Sequence, residues 1–237
     1  MENEIDWPKA VQPLLKKYKS LKHPLEYANT YQLMVMVILA AQDSDKHINN
    51  VAPEFFKVFP DLKSLSRATP DAVMAQINKV RNYRNKTNWL LQIAAALKQD
   101  SNIPMEMDKL VDLPGIGRKS ANVIIRESGL PAQGIMVDLH TVRVAPRLGI
   151  VDTADPKKIE QQMLEIFPAK QWDVGMCLSF HGREICRPKP LCEVCFMRGV
   201  CRFYRENVAN VGTAPIAKAV KTPKKDGGKT GKSRKAL

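Results

Sequence analysis

Two glycines spaced two apart, in the segment LPGIGRKSANVI that begins at Leu113, constrain this chain more than any other feature. They separate a short apolar run from a stretch patterned as a helix. That is the signature of a helix–turn–helix hairpin whose turn presents bare backbone N–H groups. Glycine permits the close approach and the positive φ such a turn needs. A helix starting near Arg118 would aim its unpaired N–H groups, and the positive end of its dipole, at an anion. Lys119 stands one residue into that helix, and Asp138 follows nineteen residues later within VDLH. Singly these are ordinary: a G-x-G turn is common, a lysine is usually a solvated charge, and Asp138 reads as the N-cap of the next helix.

The charge of the chain says which anion to expect. A formal net charge of +13 over 237 residues favours a polyanionic partner bound in a salt-dependent way. The length suffices for one or two buried cores. From Lys218 to Leu237, eight Lys/Arg stand against Asp226, a net +7, leaving +6 for the first 217 residues. Almost no large apolar residue occurs in that tail, so residues 207–237 are expected to be disordered. Its role is either solubility or added affinity for the polyanionic partner.

Four of the five cysteines fall within sixteen residues: Cys186, Cys192, Cys195 and Cys201, spaced C-x5-C-x2-C-x5-C among Pro188, Pro190 and Gly199. Met1 to Asp6 is acidic and no long apolar run follows, so neither a signal peptide nor a membrane span is expected. In a non-secreted chain, clustered thiols argue for metal ligation over disulfides. Four thiolates without an interleaved histidine fit structural zinc or a [4Fe–4S] cluster, and spacing alone leans toward zinc. Cys177, in the apolar pattern of Val174 and Leu178, reads as core.

The rest of the chain reads as successive amphipathic helices, with no strand alternation and no internal repeat. Trp7-Pro8 opens a helix carrying Val11, Leu14, Leu15 and Tyr18. The segment from Tyr31 to Ala41 is apolar nearly all round and predicts a buried central helix. Ser44 and Asp45 offer caps for the next helix, and Thr69-Pro70 starts another. Trp89, Leu90, Ile93, Ala94 and Leu97 recur at helical spacing between Asn85 and Gln99. Later helices are expected over 139–148, 156–167 and 172–180. The fold class is all-α.

Glycine hairpin, lysine, V-D-x-H and four-cysteine loop, in that order, resemble the endonuclease III family of helix-hairpin-helix DNA glycosylases. The resemblance runs from about Tyr31 to Tyr204. It includes LAAQDSDKHIN at Leu39, similar to the family's L-S-A-Q-x-(S/T)-D, and FHGREIC at Phe180, similar to its H-G-R-x-x-C. It implies a two-domain helical protein: a six-helix bundle over 24–133, and a discontinuous domain of 1–23 with 134–206 that holds the cysteine loop, 186–201. It also implies a monomer that removes oxidised pyrimidines from double-stranded DNA and nicks the abasic site, with [4Fe–4S] favoured over zinc. Such a chain would work in the nucleoid or the nucleus.

By the same resemblance, Lys119 is the amine nucleophile and Asp138 accepts a proton or stabilises charge on the sugar. Lys119 then needs a lowered pKa, from desolvation or cations such as Arg118. Gly115, Gly117 and Arg118 contact a phosphate, Gln42 enters the duplex, Asp45 braces that loop, and Cys186, Cys192, Cys195 and Cys201 ligate the metal. The arginines beside the cysteines, Arg183, Arg187, Arg198 and Arg202 with Lys189, form a patch expected to touch DNA. Two positions depart from the family. Five residues separate the first two cysteines where six are usual. The family's I-G-(L/F)-Y-x-x-K is here Val80, Arg81, Asn82, Tyr83 and Lys86, so Asn82 replaces the apolar wedge that fills a flipped-out base's place. Other readings are a monofunctional mismatch glycosylase, which Lys119 opposes, and a non-cutting sensor of damaged DNA.

Overall fold

The computed structural model describes residues 5–209, and the basic tail lies largely outside them. Among the described residues there are thirteen α-helices and no strand. The first two, α1 (Trp7–Ala10) and α2 (Gln12–Tyr18), stand where one continuous helix is expected. Pro13 has no N–H to donate back along the helix, and the backbone bends at Val11.

Next comes α3 (Thr30–Ala40), in which eight residues, Tyr31 and Leu33–Leu39, are buried. Around it pack α4 (Asp45–Val58), α5 (Leu62–Leu65), α6 (Pro70–Ile77), α7 (Tyr83–Leu97), α8 (Met107–Val111) and α9 (Arg118–Glu127). Local chemistry starts most of these helices. Asn29, Ser44, Asp61 and Thr69 each accept a hydrogen bond from an amide in the first turn, and Pro70 opens α6. The apolar faces of α3 to α9 form one continuous core.

A second core gathers Trp7, Val11, Leu14 and Tyr18 with residues from Ile135 to Cys201. It is built by α1 and α2 together with α10 (Leu139–Leu148), α11 (Pro156–Ile166), α12 (Val174–Glu184) and α13 (Arg202–Asn207). The chain therefore starts in one lobe, builds the other, and returns. Cys177 is fully buried there, and burial pushes its thiol up to about 12.

Helix α9 ties the lobes together at both ends. Arg118 at its start donates from Nε (3.0 Å) and Nη2 (2.8 Å) to the two carboxylate oxygens of Glu160 on α11. Arg126 at its end donates to Asp173 (3.2 Å), to the Lys19 and Leu21 carbonyls, and to Glu127. Between α12 and the segment entering α10 the backbones nearly touch. A Cβ at Gly175 would collide with the Met136 carbonyl oxygen, and one at Gly182 would lie 2.8 Å from His140 Cβ. These two glycines permit the approach that places α12 beside Asp138. Among the described residues, no helix is long and apolar enough to cross a membrane.

Candidate active site

The hairpin is formed by α8, the turn 112–117 and α9. Gly115 has φ +81°, and a Cβ there would stand 2.6 Å from the Trp89 ring. Glycine is thus required twice over, by conformation and by contact. Gly117 instead has extended backbone and caps α9 without a side chain, with open space where a Cβ would stand. Among the described residues, the amides of Arg118, Lys119 and Ser120 make no hydrogen bond. This helix end is therefore free to bind an oxyanion.

Beside that end opens a cavity of about 840 Å³ between the lobes, lined by Lys119 and Asp138 together with His23, Gln42, Asp45, Arg81, His140 and Arg183. A groove of similar size, about 750 Å³, lies at the C-terminal end of α9 among Lys19, Tyr27, Arg126 and Asp173. Asp173 there is shared between Arg126 at 3.2 Å and Lys19 at 3.4 Å, and the lysine side chain is exposed to solvent.

Lys119 is reached by solvent through the cavity, yet protein walls surround it. That dehydration is the main pull on its ammonium, which lies below the usual lysine range. Asp138 and Asp45 push it back up, and Arg183 lowers it further. The expected contribution of Arg118 is absent because that side chain turns to Glu160. Its guanidinium holds the lobes together, and only its backbone amide faces the anion site.

Asp138 caps α10. Its Oδ1 accepts from the His140 and Thr141 amides, both at 2.9 Å, and Oδ2 accepts from the Ser179 hydroxyl at 2.6 Å. Burial pushes this carboxyl up, but the Ser179 and Thr141 bonds and the charges of His140 and Lys119 outweigh it, holding it below the ordinary range. Arg183 donates to Asp45 at 3.0 Å, with its second nitrogen 3.9 Å from Asp138. Asp45, Asp138, Lys119 and Arg183 thus share one enclosure. Arg202 also bonds within the protein, to Asp152 and to the Pro146 and Val151 carbonyls.

At the cavity rim, the loops carrying Gln42 and Asn82 meet. Both residues are left-handed, at φ +60° and +56°, and Asn82 Nδ2 donates to Gln42 Oε1 at 3.3 Å. Asp43 fastens the loops by accepting from the Arg81 amide (3.1 Å), the Ser44 amide (2.8 Å) and His47 (2.9 Å). Lys86 is buried and donates to the Leu39 and Ala41 carbonyls at 2.7 and 2.8 Å, closing the end of α3 directly before Gln42. Burial holds this lysine below its ordinary range.

The four cysteines are all free thiols and line one space with Leu148, His181, Ile185 and Tyr204. Among the described residues, no three His, Cys, Asp or Glu side chains converge closely enough to hold a single metal ion. Burial raises the thiols of Cys192, Cys195 and Cys201, and their neighbouring sulfurs raise them further. Several groups are suited to bonding thiolates there. Arg147 Nη1 lies 3.7 Å from Cys186 Sγ, His181 Nε2 lies 3.5 Å from Cys195 Sγ, and the Tyr204 amide lies 3.4 Å from Cys201 Sγ. The other ring nitrogen of His181, Nδ1, is buried without a partner. The donor set fits a group that keeps four sulfurs ionised around a shared space.

Sequence reasoning missed His23, Ser179 and Glu160, and also Arg147 and His181, which face the sulfurs. The H-G-R motif of α12 was a usable signal for two residues of the site, since His181 meets a cysteine and Arg183 meets both acids.

Comparison with known proteins agrees with this geometry. Residues 35–169, more than half of the chain, match the family described as HhH-GPD superfamily base excision DNA repair protein. The chain is 31% identical to endonuclease III of Synechocystis sp., over 79% of this chain and 88% of that protein. It is 32% identical to endonuclease III of Bacillus subtilis, over 75% and 83%. Among solved structures, a trapped endonuclease III–DNA covalent intermediate superposes with a TM-score of 0.74 at 28% identity, covering 83% of this chain and 94% of that one. A thermostable thymine-DNA glycosylase shares the fold, with a TM-score of 0.70 at 19% identity. With the hairpin, the lysine and the acid on adjoining walls of one cavity, the chain belongs to the HhH-GPD superfamily of base excision DNA repair proteins.

Proposed function

We propose that this protein is a bifunctional DNA glycosylase and abasic-site lyase that removes oxidised pyrimidines from duplex DNA. The observation that carries the reading is Lys119, held below its usual pKa across from an ionised Asp138 in one cavity. A damaged base inside a duplex is unreachable, so its nucleotide swings out, costing a few kcal/mol of unstacking. The amides opening α9 hold the neighbouring phosphate. The neutral Lys119 amine attacks the sugar C1′ as the C1′–N bond to the base breaks and the base leaves protonated; the C1′–O4′ bond then opens, O4′ takes up a proton, and a Schiff base forms. β-Elimination then cleaves the C3′–O bond. Asp138 has both oxygens engaged and stays ionised, so its role is to stabilise positive charge developing on the sugar.

The bundle lobe, 24–133, would carry the nucleophile and the duplex-entering loops, and the lobe of 1–23 with 134–206 the acid and the cysteines. Cys186, Cys192, Cys195 and Cys201 would hold a [4Fe–4S] cluster, whose ligation supplies folding free energy to a Pro-rich loop with little apolar content of its own. Arg147 and His181 orient two of the sulfurs.

The test is borohydride trapping on duplexes bearing an abasic site or an oxidised pyrimidine. A covalent protein–DNA band is expected, absent in Lys119→Gln while DNA binding is retained. Nicking by the pure variant would remove the lysine from the mechanism. Base release without trapping by the native protein would make it a monofunctional glycosylase.

A further inference from the structure

His23 has no part in the chemistry so far, although it stands in the same cavity as Lys119. It lies between α2 and α3, where the chain passes from one lobe to the other, and it is buried, with 7% exposure. Its Nδ1 accepts from the Leu25 amide at 3.3 Å, which leaves the ring proton on Nε2. Among the described residues, Nε2 has no protein partner, and it is not among the sealed-off polar atoms. The ring therefore offers one N–H donor, of fixed tautomer, to whatever enters the cavity.

Its surroundings choose the acceptor. Leu25, Val37 and Ala40 are among the apolar residues of the wall, and Lys119, Asp45 and Arg183 are the charged groups nearest in effect. Burial, then the Lys119 charge, then Arg183 push the imidazole down, against the pull of Asp45 and Glu127, to about 4, so the ring is neutral. A neutral donor beside apolar side chains suits an uncharged carbonyl acceptor better than a phosphate. Lys119 attacks the carbon that bears the base, so a neighbour of Lys119 within the cavity borders the base as well.

We infer that His23 is a specificity-determining residue, whose Nε2–H donates to a carbonyl oxygen of the extruded pyrimidine. The assignment rests on Lys119 being the nucleophile. An abasic site has no such carbonyl, so the two activities separate the role of His23 from that of Lys119. A residue that only supports the fold or the lysine would move both together.

The measurement is single-turnover base release from a thymine glycol duplex, divided by nicking of a preformed abasic site in the same sequence. For His23→Phe this ratio is expected to fall about ten- to a hundredfold, the size of one missing orienting hydrogen bond at a reacting group. His23→Gln keeps an N–H donor and should restore at least half of the loss on a logarithmic scale. A ratio equal to the native one in His23→Phe, or equal losses in both variants, would overturn the inference. No trapped adduct with the native protein would overturn the lysine reading, and this one with it.

Discussion

Asn82 donates to Gln42 at 3.3 Å, and both residues hold left-handed backbone at the cavity rim. Strain of this kind costs on the order of 1–3 kcal/mol and persists where surrounding bonds hold it in place. Here Asp43 and Lys86 do so. Under the proposed function, an amide pair stands where the family resemblance implies an apolar wedge, and hydrogen-bonding groups would meet the hole left by a flipped base. Asn82→Leu is expected to tighten binding to lesion duplexes about tenfold, to flatten discrimination among opposite bases, and to cost about 1 kcal/mol of stability, because leucine tolerates this backbone less well. Binding titrations across the four opposite bases check it; an unchanged profile would sink the idea.

Arg183 acts on Lys119, the proposed nucleophile, through charge. A neutral Lys119 amine forms above its pKa, so nicking rises with pH through that value. The Arg183 cation destabilises the ammonium and lowers the pKa, whereas Asp45 and Asp138 raise it. Arg183→Met removes the cation and frees both acids to act on Lys119. The rising limb of the single-turnover nicking profile should therefore move to higher pH, with the rate recovering under alkaline conditions. A limb that stays in place or moves to lower pH would exclude this coupling.

Much of the fold was legible because helix starts are local events. Ser44, Thr69-Pro70 and Asp138 announce their helices within four residues, and the buried run of α3 shows in its lack of a polar face. The lysine, the acid and the cysteines were legible because each lies in a compact motif. Partners far apart in the chain were not. Arg118 and Glu160 are forty-two positions apart and lie in different lobes, so Arg118 read as a phosphate ligand. Lys86 read as an ordinary motif lysine until two carbonyls at the end of α3 explained its burial. His23 had no pattern around it; only the cavity gives it a meaning.

Removing the Arg147 side chain should loosen the cysteine loop. Its guanidinium bonds the Arg187 carbonyl at 2.7 Å and the Pro188 carbonyl at 3.2 Å, approaches Cys186 Sγ, and lies over the Phe203 ring at 4.8 Å. In Arg147→Met, the visible absorbance of the proposed [4Fe–4S] cluster is expected to decay roughly 10–100-fold faster under a chelator, while helical circular dichroism is kept at the outset. The reduction potential should move negative, because N–H donors to sulfur favour the more negatively charged state. Equal decay and an unmoved potential would show that Arg147 only packs.

Gly175→Ala tests the contact between α12 and the segment leading to Asp138. The added methyl meets the Met136 backbone, which has no side-chain freedom to give way. A loss of about 1–3 kcal/mol is expected in chemical denaturation, together with a fall in base release as Asp138 shifts. Gly199→Ala, where nothing lies within 4 Å, is the control.

The tail beyond the described residues carries a net +7 from Lys218 onward. Truncation after Gly212 should lower DNA affinity, and should flatten the dependence of log K on log salt by about 0.9 for each phosphate that the protein no longer neutralises. An unchanged slope would leave the tail a solubility role.

The threading of the two lobes also sets a timetable. Trp7, Val11, Leu14 and Tyr18 leave the ribosome first, but the core they complete begins at Ile135 and closes at Cys201. At synthesis rates of about 5–20 residues per second, these apolar side chains wait on the order of ten seconds for their partners. Asp138 and Arg183 arrive after the bundle that carries Lys119 can already have folded. A chain made only through α9 therefore holds Lys119 with Asp45 but without Asp138, and the proposed cutting of DNA waits for the second core.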